Sequence, residues 1–522
     1  MKRWLLLFAS LVAFSAAASD GRQASRIIVA AAHPLAAQAG LDVLKRGGSA
    51  LDAAIAVQMV LGLVEPESSG IGGGAFMLYW SQRDKKLRTY DGRETAPAAA
   101  TPDRFLDNQK KPLPFMDAAV SGRSVGVPGV LRMLELAHRR HGRLPWDELF
   151  LPAIRIADEG FEPGPKLREA LSRERHLRTD AYSGARIVNR EYGDTLRVIA
   201  RGGAREFYEG DIARDIVLAV RTHERPGDMT KDDLRAYRAI EREPVCGPYR
   251  SWRICSMGPP SSGGVAVLQI LGLLERTRFA RSAPQSADAL HFFAEAGKLA
   301  YADRARYLGD VPVPLKQLLS SSYLDKRAKL IGERAMALAP PGDTEAGTSH
   351  FTIVDARGDI VSMTTTIETT FGSRIFVRGF LLNNQLTDFD FMPGGANAVA
   401  PGKRPRSSMA PAIVFRNQQA VLALGSPGGS MIINYVAKAL VGVLDWKLDI
   451  QAAFELPNFG SRNGPTLIEQ GSRYEPLAAQ LEARGHQVDR IPLASGLHGA
   501  ERIAGGWRGG ADPRRDGAVR GE

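Results

Sequence analysis

The sequence predicts a mixed fold, α/β or α+β. Helical periodicity fills residues 33–64 and dominates 125–299, whereas short β-branched segments alternate at 76–90 and again after residue 348, with Gly and Pro turns between them. Leu35 to Leu44 has a helical pattern that Gly47-Gly48 stops. Ala50 to Leu63 is rich in Ala, Val and Leu and poor in charge, so it is apolar on most faces and is expected to be buried. The loop Pro66 to Gly74 ends it, and Phe76 to Trp80 and Leu87 to Tyr90 read as strands. The helical region from Val125 to Leu299 is interrupted by a cysteine hairpin and by the polar connection Arg276 to Ser286. Ala337 to Gly347, with Pro340-Pro341-Gly342-Asp343, has the composition of a mobile surface loop. His350 to Val354 and Ile360 to Thr366 then alternate around the turn Ala356-Arg357-Gly358-Asp359. Ala412 to Phe415 and Ala420 to Leu424 make a second hairpin around Gln418, and Ile432 to Leu444 reads as a buried helix. The tail from Gly505 is rich in Gly and Arg, and roughly its last dozen residues are expected to be disordered.

The chain has 522 residues, 44% hydrophobic and 24% charged, the composition of an ordinary globular protein. A net charge of +11 would suit an anionic partner. The arginines are scattered, however, and 7% aromatics offers no stacking platform, so no nucleic-acid partner is expected. Residues 1–18 read as a secretory signal: Lys2 and Arg3, an apolar run from Trp4 to Phe14, then Ala16-Ala17-Ala18. The run is too short to span a bilayer, and no later segment is long and apolar enough to do so. The protein is therefore expected to be exported, periplasmic or secreted, with no membrane span in its mature form.

Only Cys246 and Cys255 can pair. With Arg250-Ser251 as a two-residue turn, they face each other at a non-hydrogen-bonded position, where Cα atoms are about 4.5 Å apart. That spacing suits a disulfide in an oxidising compartment; the other reading is two small buried thiols. Neither cysteine has a nucleophile's setting, and the nine histidines show no metal-ligand spacing, so no metal or cofactor is expected.

Gly347-Thr348-Ser349-His350-Phe351-Thr352 places a threonine at the start of an alternating segment. A threonine hydroxyl needs a base beside it to act as a nucleophile. The nearest one is the residue's own α-amine, with a reference pKa near about 8. That amine exists only if the chain is cut before Thr348, so the pattern points to a self-cleaving precursor. Further segments follow in order: Asn383-Asn384-Gln385-Leu386-Thr387-Asp388-Phe389, Lys403-Arg404-Pro405-Arg406-Ser407-Ser408-Met409 and Gly425-Ser426-Pro427-Gly428-Gly429-Ser430. Upstream lie Glu65-Pro66-Glu67-Ser68-Ser69-Gly70-Ile71-Gly72-Gly73-Gly74, Asp91-Gly92-Arg93-Glu94-Thr95-Ala96-Pro97, Pro259-Pro260-Ser261-Ser262-Gly263-Gly264 and the run from Tyr301 to Asp310.

In this order the segments resemble the γ-glutamyltransferase (glutathione hydrolase) family of N-terminal-nucleophile hydrolases, over nearly the whole chain after the first 25 or so residues. The resemblance implies a four-layer αββα sandwich built from two chains after autocleavage. A large subunit would cover 19–347 and a small subunit 348–522. It implies that Thr348 attacks the Gly347 carbonyl to split the chain and then serves as the catalytic nucleophile. Thr366 would hydrogen-bond that nucleophile, and the Gly428 and Gly429 N–H groups would meet the oxyanion. Arg93, whose planar fork suits a carboxylate, would bind the donor's α-carboxylate with Ser407 and Ser408. Gln385 and Asp388 would hold its α-ammonium, with Glu368 close by. Each residue type also has a plain structural role: strand threonine, solvated arginine, turn serine or turn glycine. The implied partners are glutathione and other γ-glutamyl compounds, with amino acid or peptide acceptors.

Two look-alike motifs fail on context. Gly70 to Ala75 fits a dinucleotide fingerprint but follows a helix and precedes a strand. Gly122-Arg123-Ser124-Val125-Gly126 fits a serine-hydrolase elbow but lacks an immediate helix. The chain also departs from the family. Only Asp390 to Gly402 stands where many members have a longer lid, so a more open site is expected. Glu368 replaces an asparagine, and Thr387 replaces one of two adjacent acidic residues. Relatives without a lid include cephalosporin acylases, which cleave glutaryl amides, so that activity is the alternative. An uncleaved periplasmic binding protein for γ-glutamyl compounds is a third reading.

Overall fold

The computed structural model describes residues 22–336 and 347–522. The expected signal at 1–18 and most of the loop before Thr348 lie outside the described residues. Two seven-stranded sheets form the centre. In one, the neighbours run Ala518–Gly521, Ile28–Ala31, Gly347–Val354, Ile360–Glu368, Gly74–Ser81, Lys86–Gly92 and Ile240–Arg242, all antiparallel. In the other they run Gln23–Ala24, Gly506–Ala511, His498–Ile503, Gln419–Gly425, Ala412–Arg416, Trp252–Ser256 and Val245–Tyr249.

The period of two along Gly74–Ser81 explains the layering. Ala75, Met77 and Tyr79 point into a core shared with the helices Pro34–Lys45 and Ala50–Val64. Phe76, Leu78 and Trp80 point the other way, into a core shared with the second sheet and the helices Gly263–Glu275, Ala287–Tyr307 and Ile432–Leu444. A sheet with both faces apolar must be covered on both sides, and the result is the helix–sheet–sheet–helix sandwich. The helix Ala50–Val64 is buried along its whole length, as its composition requires. Ser49 and Asp52 close a capping box at its start.

The cysteine hairpin pairs Cys246 with Cys255 and Tyr249 with Trp252, and the two thiols are joined. The tail corrects an expectation. Gly506–Ala511 and Ala518–Gly521 are strands, one in each sheet, and the chain is ordered to its end. Glycine suits this crowded place: a Cβ on Gly509 would meet Val519 Cγ1 at 2.4 Å, and one on Gly510 would meet Phe454 Cε2 at 2.9 Å.

Candidate active site

The hairpin of Gly347–Val354 and Ile360–Glu368 is the centre of the site. Thr348 pairs with Thr366, and a bulge shifts the register between Gly347 and Thr348 so that Gly347 faces Glu368. Bulges re-aim side chains next to active sites. The distortion leaves Glu368 at φ 81°, a conformation that non-glycine residues rarely adopt. The Thr366 hydroxyl donates to the Gly347 carbonyl at 2.7 Å and lies 3.4 Å from Thr348 Oγ1. The Glu368 N–H donates to Thr366 Oγ1 at 2.8 Å and holds that hydroxyl in place. The Thr366 hydroxyl thus touches both the Thr348 hydroxyl and the Gly347 carbonyl. A Cβ on Gly73 would meet the Thr366 carbonyl oxygen at 2.1 Å, so the glycine run 72–74 is there for close packing.

Gly428 and Gly429 form the entry to the helix Ile432–Leu444. Gly428 has φ 126°, and a Cβ there would meet the Tyr435 ring at 2.5 Å. No acceptor among the described residues takes either N–H.

Arg93 is buried. It donates through Nε to the Pro405 carbonyl at 3.1 Å, and through Nη2 to the Arg406 carbonyl at 3.0 Å and Asp388 Oδ2 at 2.5 Å. Gln385 Nε2 also donates to Asp388 Oδ2, at 2.7 Å. Its Oε1 is buried with no partner. The Glu368 carboxylate accepts from Asn384 Nδ2 at 2.8 Å. Burial, and then the neighbouring Asp388, push the Glu368 pKa well above its ordinary value. Ser407 and Ser408 stand on a loop held by the Pro259–Gly264 segment: the Ser262 N–H and hydroxyl both donate to the Ser407 carbonyl.

A cavity of about 50 Å³ joins these groups. Thr348, Thr366, Gly429, Arg93, Glu368, Gln385, Asp388, Ser407 and Ser408 line it, and Gly428 lies just behind Gly429. No residue of 390–402 takes part; that loop stacks Phe391 on Phe105 instead. The cavity has room for a few waters. Ser124 is excluded as a nucleophile. It is buried in a short turn, and its hydroxyl donates to the Ala119 and Ser121 carbonyls. His350 is bound by Thr364 and Thr352, and burial holds its pKa well below the ordinary value.

Sequence reasoning missed several neighbours. Arg515 Nη1 donates to the Thr348 carbonyl at 3.1 Å, from a tail that read as disordered. Glu65 accepts from Ser349 Oγ at 2.7 Å. Glu94 lies 3.8 Å from Arg93, and burial pushes its pKa up to about 8. Arg304 also lines the cavity. Arg304, Glu65 and Glu94 lie in segments that had been singled out, but nothing distinguished them from neighbouring charged residues.

Residues 36–522 match the model of the gamma-glutamyltranspeptidase family. The glutathione hydrolase proenzyme of Bacillus subtilis (strain 168) is 37% identical, over 94% of this chain and 91% of that protein. The glutathione hydrolase proenzyme of Escherichia coli (strain K12) is also 37% identical, over 90% of this chain and 86% of that protein. Among solved structures, the cephalosporin acylase of Bacillus halodurans superposes with a TM-score of 0.87 at 30% identity, covering 99% of both chains. With Thr348 and Thr366 paired in one hairpin, charged and polar groups gathered at one cavity and a match over nearly its whole length, the chain belongs to the gamma-glutamyltranspeptidase family of enzymes.

Proposed function

We propose that the protein is an exported, self-cleaving γ-glutamyltransferase and glutathione hydrolase. Thr348 Oγ attacks the Gly347 carbonyl carbon while Thr366 donates to the developing oxyanion. The C–N bond breaks, the nitrogen takes up a proton as the Thr348 α-amine, and Gly347 is left as an ester on Thr348. Water hydrolyses that ester, freeing the hydroxyl and the Gly347 carboxylate. The large subunit is then 19–347 and the small subunit 348–522, once residues 1–18 are removed.

In the mature enzyme the α-amine takes the Thr348 proton as Oγ attacks the donor's γ-carbonyl. The Gly428 and Gly429 N–H groups stabilise the oxyanion. The amine of the leaving peptide takes the proton back and departs, and water or an amino acid or peptide then accepts the acyl group. Arg93, Ser407 and Ser408 hold the α-carboxylate; Gln385, Asp388 and Glu368 hold the α-ammonium.

The observation that carries the γ-glutamyl reading is the buried, unpartnered Gln385 Oε1 beside two carboxylates. These acceptors suit an ammonium, which a γ-glutamyl donor has and a glutaryl donor lacks. The likeness to a cephalosporin acylase and the short 390–402 segment favour glutaryl amides as a second reading. Turnover of γ-glutamyl and glutaryl anilides separates the two. Losing one partner of a desolvated charge pair costs about 2–5 kcal/mol, so Asp388→Asn should cut γ-glutamyl turnover by that much and affect glutaryl turnover far less. Wild-type protein that cleaves both donors equally well would favour the acylase.

A further inference from the structure

Arg304, on the helix Ala287–Tyr307, is an unusual arginine. It lines the cavity beside Ser408, yet its guanidinium bonds hydroxyls instead of carboxylates. Nε donates to Ser262 Oγ at 2.9 Å and Nη2 to Ser408 Oγ at 3.0 Å. The acidic groups that attract it, Asp388 and Asp390, are paired with Arg93 and Arg406. Burial, and then the neighbouring Arg406 charge, oppose its protonated form. The guanidinium is partly buried, lies over the Tyr301 ring and bonds no anion, so its positive charge is free to meet one. An anion entering the cavity would supply the partner it lacks.

The hydrogen bonds also have a direction. A serine hydroxyl has one proton to give and two lone pairs to accept with. Arg304 has no acceptor, so it occupies a lone pair on Ser408 and turns the Ser408 proton away from itself. On Ser262 it does the same, and the Ser262 proton goes to the Ser407 carbonyl at 2.5 Å. The Ser262 backbone N–H adds a second bond to that carbonyl at 2.8 Å. Arg304 therefore braces both serines of the loop through separate hydroxyls.

We propose that Arg304 is a positioning residue for donor carboxylates: it aims the Ser408 hydroxyl at the carboxylate and supplies the uncompensated positive charge that attracts it. This rests on the carboxylate site proposed above. It predicts selectivity for acyl donors bearing a carboxylate at the far end of the chain, γ-glutamyl or glutaryl, over 4-aminobutanoyl donors, which lack it.

The test uses the matured two-chain enzyme with γ-glutamyl, glutaryl and 4-aminobutanoyl anilides. Arg304→Met should raise KM for the carboxylate donors roughly ten- to hundred-fold, the range for a hydrogen bond to a charged group. Their kcat, and kcat/KM for the 4-aminobutanoyl donor, should stay near wild type. Combined with Ser408→Ala, the two losses should be less than additive, because one acts through the other. Equal losses on all donors, or additive losses with Ser408→Ala, would overturn the assignment. Where Arg304→Met does not mature, Arg304→Lys decides: it keeps the charge but cannot reach both serines with a fork, and its KM rise should be smaller yet still confined to carboxylate donors. Glutaryl preference in the wild type would defeat the γ-glutamyl reading without touching this one, since glutaryl carries the same carboxylate.

Discussion

Thr366 serves both halves of the proposed chemistry. Its proton goes to the Gly347 carbonyl in the intact chain, and its oxygen stays within reach of Thr348 Oγ1. Glu368, two residues on, extends the same strand into the cavity. Its raised pKa gives a pH prediction. Burial, and then Asp388, favour the protonated carboxyl in the free site, whereas an ammonium favours the ionised form. Binding a γ-glutamyl donor therefore releases a proton, and affinity rises with pH until Glu368 ionises unaided. KM for a γ-glutamyl anilide should fall as pH rises above the ordinary carboxylate range, and Glu368→Gln should flatten that slope, as steady-state kinetics across the range would show. A parallel slope in the variant would assign the dependence elsewhere. Residues singled out in short contiguous motifs, Thr348 and Arg93 among them, meet at one cavity, because each motif carries its own context. Arg304 and Arg515 were not singled out, since an arginine in an Arg-rich chain is marked only by what the fold brings to it.

Among the elements, the cysteine hairpin was readable to the residue. A two-residue turn determines every pair above it, and Arg250 takes the left-handed conformation that such a turn requires. The bridge closes a loop with a sequence separation of 9. Replacing both cysteines by alanine should cost roughly 2–3 kcal/mol, as loop-closure entropy for so short a loop implies. Thermal unfolding of the pair variant should show that modest loss with activity retained, because the hairpin lies at the edge of the second sheet and none of its residues lines the cavity. The tail misled for a physical reason. Its strands use Gly509 and Gly510 where side chains would collide, so they lack the alternating apolar pattern that marks a strand. That tail delivers Arg515 to Thr348.

For the whole molecule, residue patterns alone reached only a mixed fold. Pairing Ile28–Ala31 with Gly347–Val354, and Ile360–Glu368 with Gly74–Ser81, joins segments hundreds of residues apart. No local period encodes such pairings; the four layers followed from family resemblance. The topology also explains how a cut chain stays whole. The two segments on either side of the Gly347–Thr348 bond share both sheets and both cores, so cleavage should leave an intertwined pair. Intact-mass analysis of the purified protein reads this cleavage directly. The expectation is two chains, the smaller beginning at Thr348, and a single uncut, inactive chain for Thr348→Ala. A wild-type protein that hydrolyses γ-glutamyl anilide as one full-length chain, or a Thr348→Ala variant that still yields both chains, would contradict it.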